Sequence, residues 1–131
     1  MKYVYLCGPI KDLSLKEASD WRQKARLDLI DYDCLDPMRR NFKDHELQSR
    51  NEIVQLDKAD IIEADILLVN ATKPSWGTAM EVMFAHIHHK VIIAFAGLDC
   101  GMKTLSPWLA YHATRVFISM EDAVEYIKKQ F

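Results

Sequence analysis

The chain is poor in cysteine, since its 131 residues include only Cys7, Cys34 and Cys100, with no CxxC spacing. An odd number of widely spaced cysteines argues against a disulfide framework and favours a reducing, cytoplasmic setting. Long apolar runs are also missing, because no stretch approaches the about 18 residues that a membrane-spanning helix needs. The first apolar run ends at Gly8-Pro9, too early for a signal peptide. We therefore expect a protein without a membrane partner.

An excess of basic charge is missing as well. The formal net charge is −2, and no basic stripe stands out, so nucleic acid is not an expected partner. The sequence contains neither GxGxxG nor a Walker lysine motif, which argues against dinucleotide-binding and P-loop proteins. His86, His88 and His89 lack the i, i+4 spacing of helical zinc sites. We expect no metal and no cofactor.

Short apolar runs alternate with helical segments along the whole chain. Strands are predicted at residues 3–7, 65–70, 90–95 and 114–118, with a weaker candidate at 32–35. Helices are predicted from a Ser14–Glu17 capping box to about residue 30, at about 47–63, from near Thr78 to about 90, and at 120–130 after Ser119. This order predicts one domain over residues 1–131. Its expected fold is an α/β/α sandwich with a mostly parallel five-stranded sheet, flavodoxin-like or Rossmann-like.

Three loops rich in glycine, proline or serine each follow a predicted strand: "CGPIKD" (7–12), "NATKPSWGT" (70–78) and "AGLDCGMKTLSPW" (96–108). They should meet at one edge of the sheet, where such folds bind ligands. The Gly8-Pro9 turn is of a kind that lets a ligand approach the backbone. Cys7 is either a nucleophile or, as we favour, a small core residue at the end of a strand.

The stretch "PSWGTAME" (74–81) leads into a predicted helix. Ser75, Gly77 and Thr78 could form a phosphate or anion seat at the helix N-terminus, although plain capping would explain part of the run. Glu81 either completes a capping box with Thr78 or points into a pocket as a reactive carboxylate. Asp57, on the preceding helix, would supply the second carboxylate. A nucleophile and a proton donor of this kind are what glycosidic-bond cleavage uses.

In their order and spacing, these motifs resemble the nucleoside 2-deoxyribosyltransferase family, whose relatives include deoxynucleoside 5′-monophosphate N-glycosidases and CMP hydrolases. The resemblance rests on "YLCGPI" (5–10), Asp57 ahead of Ala64-Asp65, "PSWGTAME" and "LSPW" (105–108). It implies an enzyme of nucleotide salvage that releases the base from 2′-deoxynucleosides or their 5′-monophosphates. It also implies that Glu81 is the nucleophile, that Tyr5 orients it, and that Asp57 assists the departing base.

One position separates the branches of this family. Six residues before the nucleophile, the transferases carry an aspartate that binds the sugar 5′-hydroxyl, and the monophosphate hydrolases carry a serine that binds phosphate. Ser75 therefore favours monophosphates, and Ser106 matches a second phosphate-binding serine, contributed in the family by a neighbouring subunit. A homodimer or larger assembly is implied. Pro9 replaces a third serine of the hydrolases, so the missing contact could come from Lys11, Arg39 or Arg40.

Three alternatives stay open at this point. Pro9 leaves room for base exchange between free deoxynucleosides, with a second base rather than water ending the reaction. A ribonucleotide phosphoribohydrolase with a "PGGxGTxxE" loop shares only the GTxxE half of the motif. A non-catalytic nucleotide-binding module would use Glu81 only as a cap.

Overall fold

The sheet determines where the functional side chains lie. The computed structural model describes residues 1–42, 44–98 and 100–131, with the side chains of residues 100 and 101 left aside. Asp99 of the third predicted loop and the Cys100 thiol thus lie outside the described residues. Within them, five strands form one sheet: β1 (Tyr3–Cys7), β2 (Asp33–Leu35), β3 (Ile66–Asn70), β4 (Val91–Phe95) and β5 (Arg115–Phe117). All neighbours are parallel, in the order β2-β1-β3-β4-β5. This is the flavodoxin-like order, so the predicted fold class is confirmed.

The helices follow the predicted alternation with some changes at their ends. They are α1 (Leu15–Asp28), α2 (Arg50–Glu63), α3 (Trp76–Ile87), α4 (Cys100–Thr104), α5 (Pro107–His112) and α6 (Met120–Gln130), with a 3-10 turn at Pro37–Arg39. The predicted Ser14–Glu17 capping box is present, and Ser119 caps α6 as expected. The short helices α4 and α5 were not predicted. Within the described residues, none of these helices combines the length and apolar character that crossing a bilayer would need.

Two predicted helix starts were wrong. Helix α2 begins at Arg50 rather than near Leu47, because the preceding residues form turns and Ser49 makes no side-chain cap. Helix α3 begins at Trp76 with Ser75 as its N-cap, whose Oγ accepts the Thr78 N–H at 3.3 Å. Thr78 therefore occupies the position where a capping box would need its glutamate, and Glu81 lies further along the helix. The capping box of Thr78 with Glu81 is excluded.

Alternate residues of each strand face opposite layers of helices. Helices α1 and α6 cover one face, against β1 residues Val4 and Leu6. Helices α2 and α3 cover the other face, where Tyr5 and Cys7 of the same strand are buried. Because the period of a strand is two, Tyr5 and Cys7 must point toward the same two helices. Their proximity to α2 and α3 follows directly from the β1 sequence.

A fully buried arginine fixes the carboxyl end of β1. Arg22 of α1 donates to the backbone carbonyls of Leu6 at 3.3 Å and Gly8 at 2.9 Å, and its Nε lies 3.7 Å from Asp36 Oδ1. A buried charge requires such partners. Next to it, a Cβ placed on Gly8 would stand only 2.7 Å from Trp21 Cζ2. Trp21 thus fills the space beside Gly8, which accounts for a glycine here without invoking a ligand.

Candidate active site

Glu81 of α3 meets both inward-facing side chains of β1. Its Oε2 accepts a hydrogen bond from the Tyr5 hydroxyl at 2.7 Å, and its Oε1 accepts one from the Cys7 thiol at 3.3 Å. Tyr5 and Cys7 are completely buried, whereas Glu81 is half-buried. Each carboxylate oxygen therefore has its own donor, and the carboxylate plane is held by two residues of one strand.

Asp57 of α2 is the second carboxyl group of the site. It lies within hydrogen-bonding reach of Glu81, and its Oδ1 is 3.3 Å from Nη2 of Arg40. The same Arg40 nitrogen lies 2.7 Å from Asp60, which also binds Arg39 at 2.8 Å. The cluster thus brings together Glu81 and Asp57 and anchors Asp57 to Arg40.

Burial is the main influence on the ionisation of this cluster. Burial raises the pKa of Glu81 to about 7, with the Asp57 charge adding to the rise and the Tyr5 hydrogen bond opposing it. Burial likewise raises the pKa of Asp57 above its usual range, against the effect of Arg40. The pKa values of Tyr5 and Cys7 are raised far enough, chiefly by burial, that both groups remain neutral donors. The two carboxyls titrate as a coupled pair, which retains a proton to higher pH than exposed carboxyls do.

A separate cavity of about 330 Å³ lies at the N-terminus of α3, between α3 and α5. Ser75, Thr78 and Ser106 line it together with Lys73. The Thr78 hydroxyl is buried and has no hydrogen-bond partner among the described residues. Ser106 is exposed and caps α5 by accepting the Trp108 N–H at 3.1 Å.

The predicted site residues therefore fall into two groups that share helix α3. Tyr5, Asp57 and Glu81 come together on the α2/α3 face, and Ser75, Thr78 and Ser106 line the cavity. Gly77, between Ser75 and Thr78, is exposed, with open space where a Cβ would be. Arg39 reaches neither group, because Asp60 and the Asp36 carbonyl hold its guanidinium. Gly8 is enclosed by Trp21, as described above.

The sequence analysis missed what three residues do in this structure. Cys7 was considered as a nucleophile or a core residue, and the signal for its contact with Glu81 was its place two residues after Tyr5, on the same face of β1. Arg40 was named only as a possible phosphate contact, and Arg22 was not singled out. As for metals, the described residues contain no group of three or more His, Cys, Asp or Glu side chains suited to holding an ion.

The fold and the site define a class of protein: an α/β protein with a flavodoxin-like sheet and a glutamate–aspartate pair beside β1. Residues 4–104 match the family model described as nucleoside 2-deoxyribosyltransferase. The chain belongs to this family and is an enzyme that acts on N-glycosyl bonds.

Solved structures with the same fold include three informative neighbours. A conserved protein from Enterococcus faecalis has 18% identity and a TM-score of 0.74, covering 100% of this chain and 99% of its own. The 2-deoxyribosyltransferase from Bacillus psychrosaccharolyticus has 20% identity and a TM-score of 0.73, with 95% and 91% covered. The CMP N-glycosidase from Clostridium botulinum has 19% identity and a TM-score of 0.63, with 99% and 100% covered. No curated protein sequence matches the chain significantly.

The raised pKa of Glu81 predicts a pH-dependent stability. Unfolding returns the pKa of this carboxyl to its ordinary value of 4.5, from about 7 in the folded protein. As pH rises through this window the unfolded state ionises first, so the free energy of unfolding falls by roughly 3 kcal/mol. Glu81→Gln removes this titration. Urea unfolding should therefore show Glu81→Gln gaining stability relative to wild type between pH 5 and pH 8.

The exposed residue Glu63, at the end of α2, provides the matched control. Glu63→Gln should not reproduce this gain. An equal stability difference between Glu81→Gln and wild type at both pH values would contradict the buried, proton-retaining state of Glu81.

Proposed function

We propose that this enzyme cleaves the N-glycosidic bond of 2′-deoxyribonucleoside 5′-monophosphates through a glycosyl–Glu81 intermediate and releases the free base. The observation that carries the proposal is the Glu81 carboxylate, bound by Tyr5 at 2.7 Å and in contact with Asp57. A capping role, the main competing explanation for Glu81, is excluded by the position of Ser75. A carboxylate kept in this environment is suited to attack rather than to support a helix end.

The carboxyl pair supports a two-step reaction. In the first step, a Glu81 oxygen bonds to C1′ while the C1′–N bond breaks, and the electron pair leaves with the base, which takes a proton from Asp57. In the second step, water attacks C1′ and gives its proton to the Asp57 carboxylate, and Glu81 departs as a carboxylate. The proton that the coupled pair retains suits this division, because one member must be ionised while the other is protonated.

The cavity at the start of α3 supports a phosphate seat. The positive end of a helix dipole and its free N–H groups favour an anion, and Ser75, Thr78 and Ser106 offer hydroxyls around it. The buried Thr78 hydroxyl, unpartnered among the described residues, would gain a hydrogen-bond partner from such a ligand. Lys73, which is ion-paired with Glu17 at 3.5 Å, lines this cavity, whereas Arg39 does not line it.

Base exchange between free deoxynucleosides is the second candidate function. It is favoured by Pro9, which stands where the phosphate hydrolases carry a serine, and by the resemblance in fold to a protein described as a 2-deoxyribosyltransferase. The two functions share the Glu81 intermediate and differ in the acceptor, which is water for hydrolysis and a second base for exchange. The CMP N-glycosidase with the same fold shows that the hydrolytic type also occurs on this scaffold.

The first experiment is chromatography of the base released from deoxynucleosides and their 5′-monophosphates, with and without an added acceptor base. We expect release from the monophosphates without an acceptor, and a loss of roughly a thousandfold or more in Glu81→Ala because the attacking atom is gone. Glu81→Gln should retain nucleotide binding. A near-normal rate in Glu81→Ala would refute the mechanism, and a new nucleoside formed only with acceptor would assign base exchange.

Ser75→Asp tests the phosphate seat. An added carboxylate should repel a phosphate by a few kcal/mol at contact distance, so the kcat/KM ratio of monophosphate to nucleoside should fall by at least about tenfold. Ser75→Asn is the matched control, because asparagine is nearly the same size as aspartate but is neutral, and it can still cap the helix. Parallel losses for both substrate classes, or equal effects of the two variants, would remove Ser75 from substrate selection.

We further propose that the enzyme is a homodimer or a larger homo-oligomer. Helix α3 exposes an apolar stripe of Trp76, Met80, Met83 and Ile87, spaced for one helix face, and Trp108 and Tyr111 of α5 are also exposed. Trp76 is 90% exposed and Trp108 73%. An apolar surface of this kind is characteristic of a protein–protein interface. Within one chain Ser106 already lines the same cavity as Ser75, so the proposed assembly rests on the exposed apolar surface.

Ile87→Glu tests this assembly, because Ile87 is 57% exposed at the far end of the stripe from the cavity. A charge there should dissociate the oligomer. Light scattering should then show a particle of 15.2 kDa for Ile87→Glu and a multiple of it for the wild type. Leu27→Glu, on the exposed side of α1, should leave the assembly intact. A monomeric wild type would disprove the proposal.

A further inference from the structure

The two oxygens of Glu81 are held by different donors. Tyr5 Oη lies 2.7 Å from Oε2, and Cys7 Sγ lies 3.3 Å from Oε1. Among the residues that the structure describes, the thiol has one other acceptor within reach, the Thr78 carbonyl at 4.0 Å, which is at the limit of a sulfur contact. Since a thiol carries one proton, the shorter contact to Glu81 is the one that it makes.

We propose that Cys7 is a positioning residue for the reaction: its thiol and the Tyr5 hydroxyl together clamp the Glu81 carboxylate, fixing its rotation and favouring its ionised form. The inference rests on the proposed role of Glu81 as the nucleophile. It adds a second donor, supplied by a residue that sequence reasoning assigned to the core. Cys7 acts through Glu81 and forms no bond to the substrate.

The clamp controls how the carboxylate faces the sugar. With a single donor, a carboxylate can rotate about its last side-chain bond and present either oxygen in several orientations. Donors on both oxygens leave one orientation, because Tyr5 and Cys7 project from fixed positions of β1. When one oxygen bonds to C1′ and the C1′–N bond breaks, both donors keep their protons and the base receives its proton from Asp57. Preorganisation of this kind lowers the cost of reaching the reactive geometry.

Several groups act on the ionisation of Glu81 from the elements around it. Burial and Asp57 of α2 disfavour its charged form, whereas Tyr5, Cys7 and the buried Arg22 of α1 favour it. Arg40 acts indirectly, through its ion pair with Asp57. Replacing Cys7 alters the donor on Oε1 and leaves the charges of these neighbours unchanged. A change in the titration of Glu81 in a Cys7 variant thus reports the thiol hydrogen bond.

Three substitutions of Cys7 separate hydrogen bonding from packing. Cys7→Ser keeps a donor at nearly the same size. Cys7→Val fills the space with a somewhat larger side chain that has no donor, and Cys7→Ala removes both the donor and the volume. The Glu81 carboxyl carbon is titrated by ¹³C NMR in the free full-length protein, with its signal assigned by its absence in Glu81→Gln. Cys7→Ala and Cys7→Val should raise the Glu81 pKa by about half a unit to one unit, and Cys7→Ser should hold it at or below the wild-type value.

The values of kcat should separate Cys7→Ala and Cys7→Val from Cys7→Ser in the same way as the pKa does. With the 5′-monophosphate that reacts fastest in the panel, Cys7→Ala and Cys7→Val should lose about tenfold in kcat with KM unchanged, because orientation rather than binding is lost. Cys7→Ser should recover most of the rate. Cys34→Ala replaces the half-buried cysteine of β2, away from the site, and should behave as wild type in both measurements.

Each result decides a separate question. If Cys7→Ser groups with Cys7→Ala and Cys7→Val, or if no variant moves the Glu81 pKa, the positioning role is overturned while the proposed function stands. If Glu81→Ala still releases base, the proposed function fails, whatever the Cys7 variants show. Circular dichroism checks the fold of each variant. Because Cys7→Ala and Cys7→Val lead to the same expectation, the test still works if one of them misfolds.

Discussion

The rest of the site depends on one constraint, which is the burial of the Glu81 carboxylate beside β1. Leaving Glu81 charged in these surroundings would be costly. The fold lowers that cost with two neutral donors, Tyr5 and Cys7, and the positive charge of Arg22, whereas burial and Asp57 raise the pKa of Glu81. These partners come from β1, α2 and α1. The ionisation of one side chain therefore links three elements of the fold, and a shift of any of them would change the chemistry at Glu81.

Helix α3 connects the two parts of the site. Its N-terminus borders the cavity lined by Ser75 and Thr78, and Glu81 follows one turn after Thr78 on the same rigid element. If the phosphate binds in the cavity and the sugar carbon meets Glu81, the helix sets the spacing between the two ends of the substrate. Specificity and catalysis then depend on a single element whose geometry is regular, so a substrate of another length would lose one contact or the other.

The sequence predicted those features that depend on local pattern. The apolar runs of β1, β3 and β4 predicted a parallel sheet with helices on both faces, and the Ser14–Glu17 pair predicted the start of α1. The start of α3 was ambiguous, because Ser75 and Thr78 are both good capping residues. Only the extended backbone at Ser75 decided between them. Helices α4 and α5 are too short to produce a periodic signal. The contacts of Cys7 and Arg40 join residues that are distant in sequence, and no single-sequence pattern records which side chains a sheet brings together.

The arginine under β1 has a consequence for how the chain assembles. Arg22 contacts the carbonyls of Leu6 and Gly8 across sequence separations of 16 and 14 residues, whereas β1 pairs with β3 across a much longer stretch of chain. Closing a short loop loses less chain entropy than closing a long one. The strand that carries Tyr5 and Cys7 can thus be anchored to its own following helix before its central neighbour arrives. The low loop-closure cost favours early contact between β1 and α1, which would orient the face that carries Tyr5 and Cys7 before α2 and α3 pack on it.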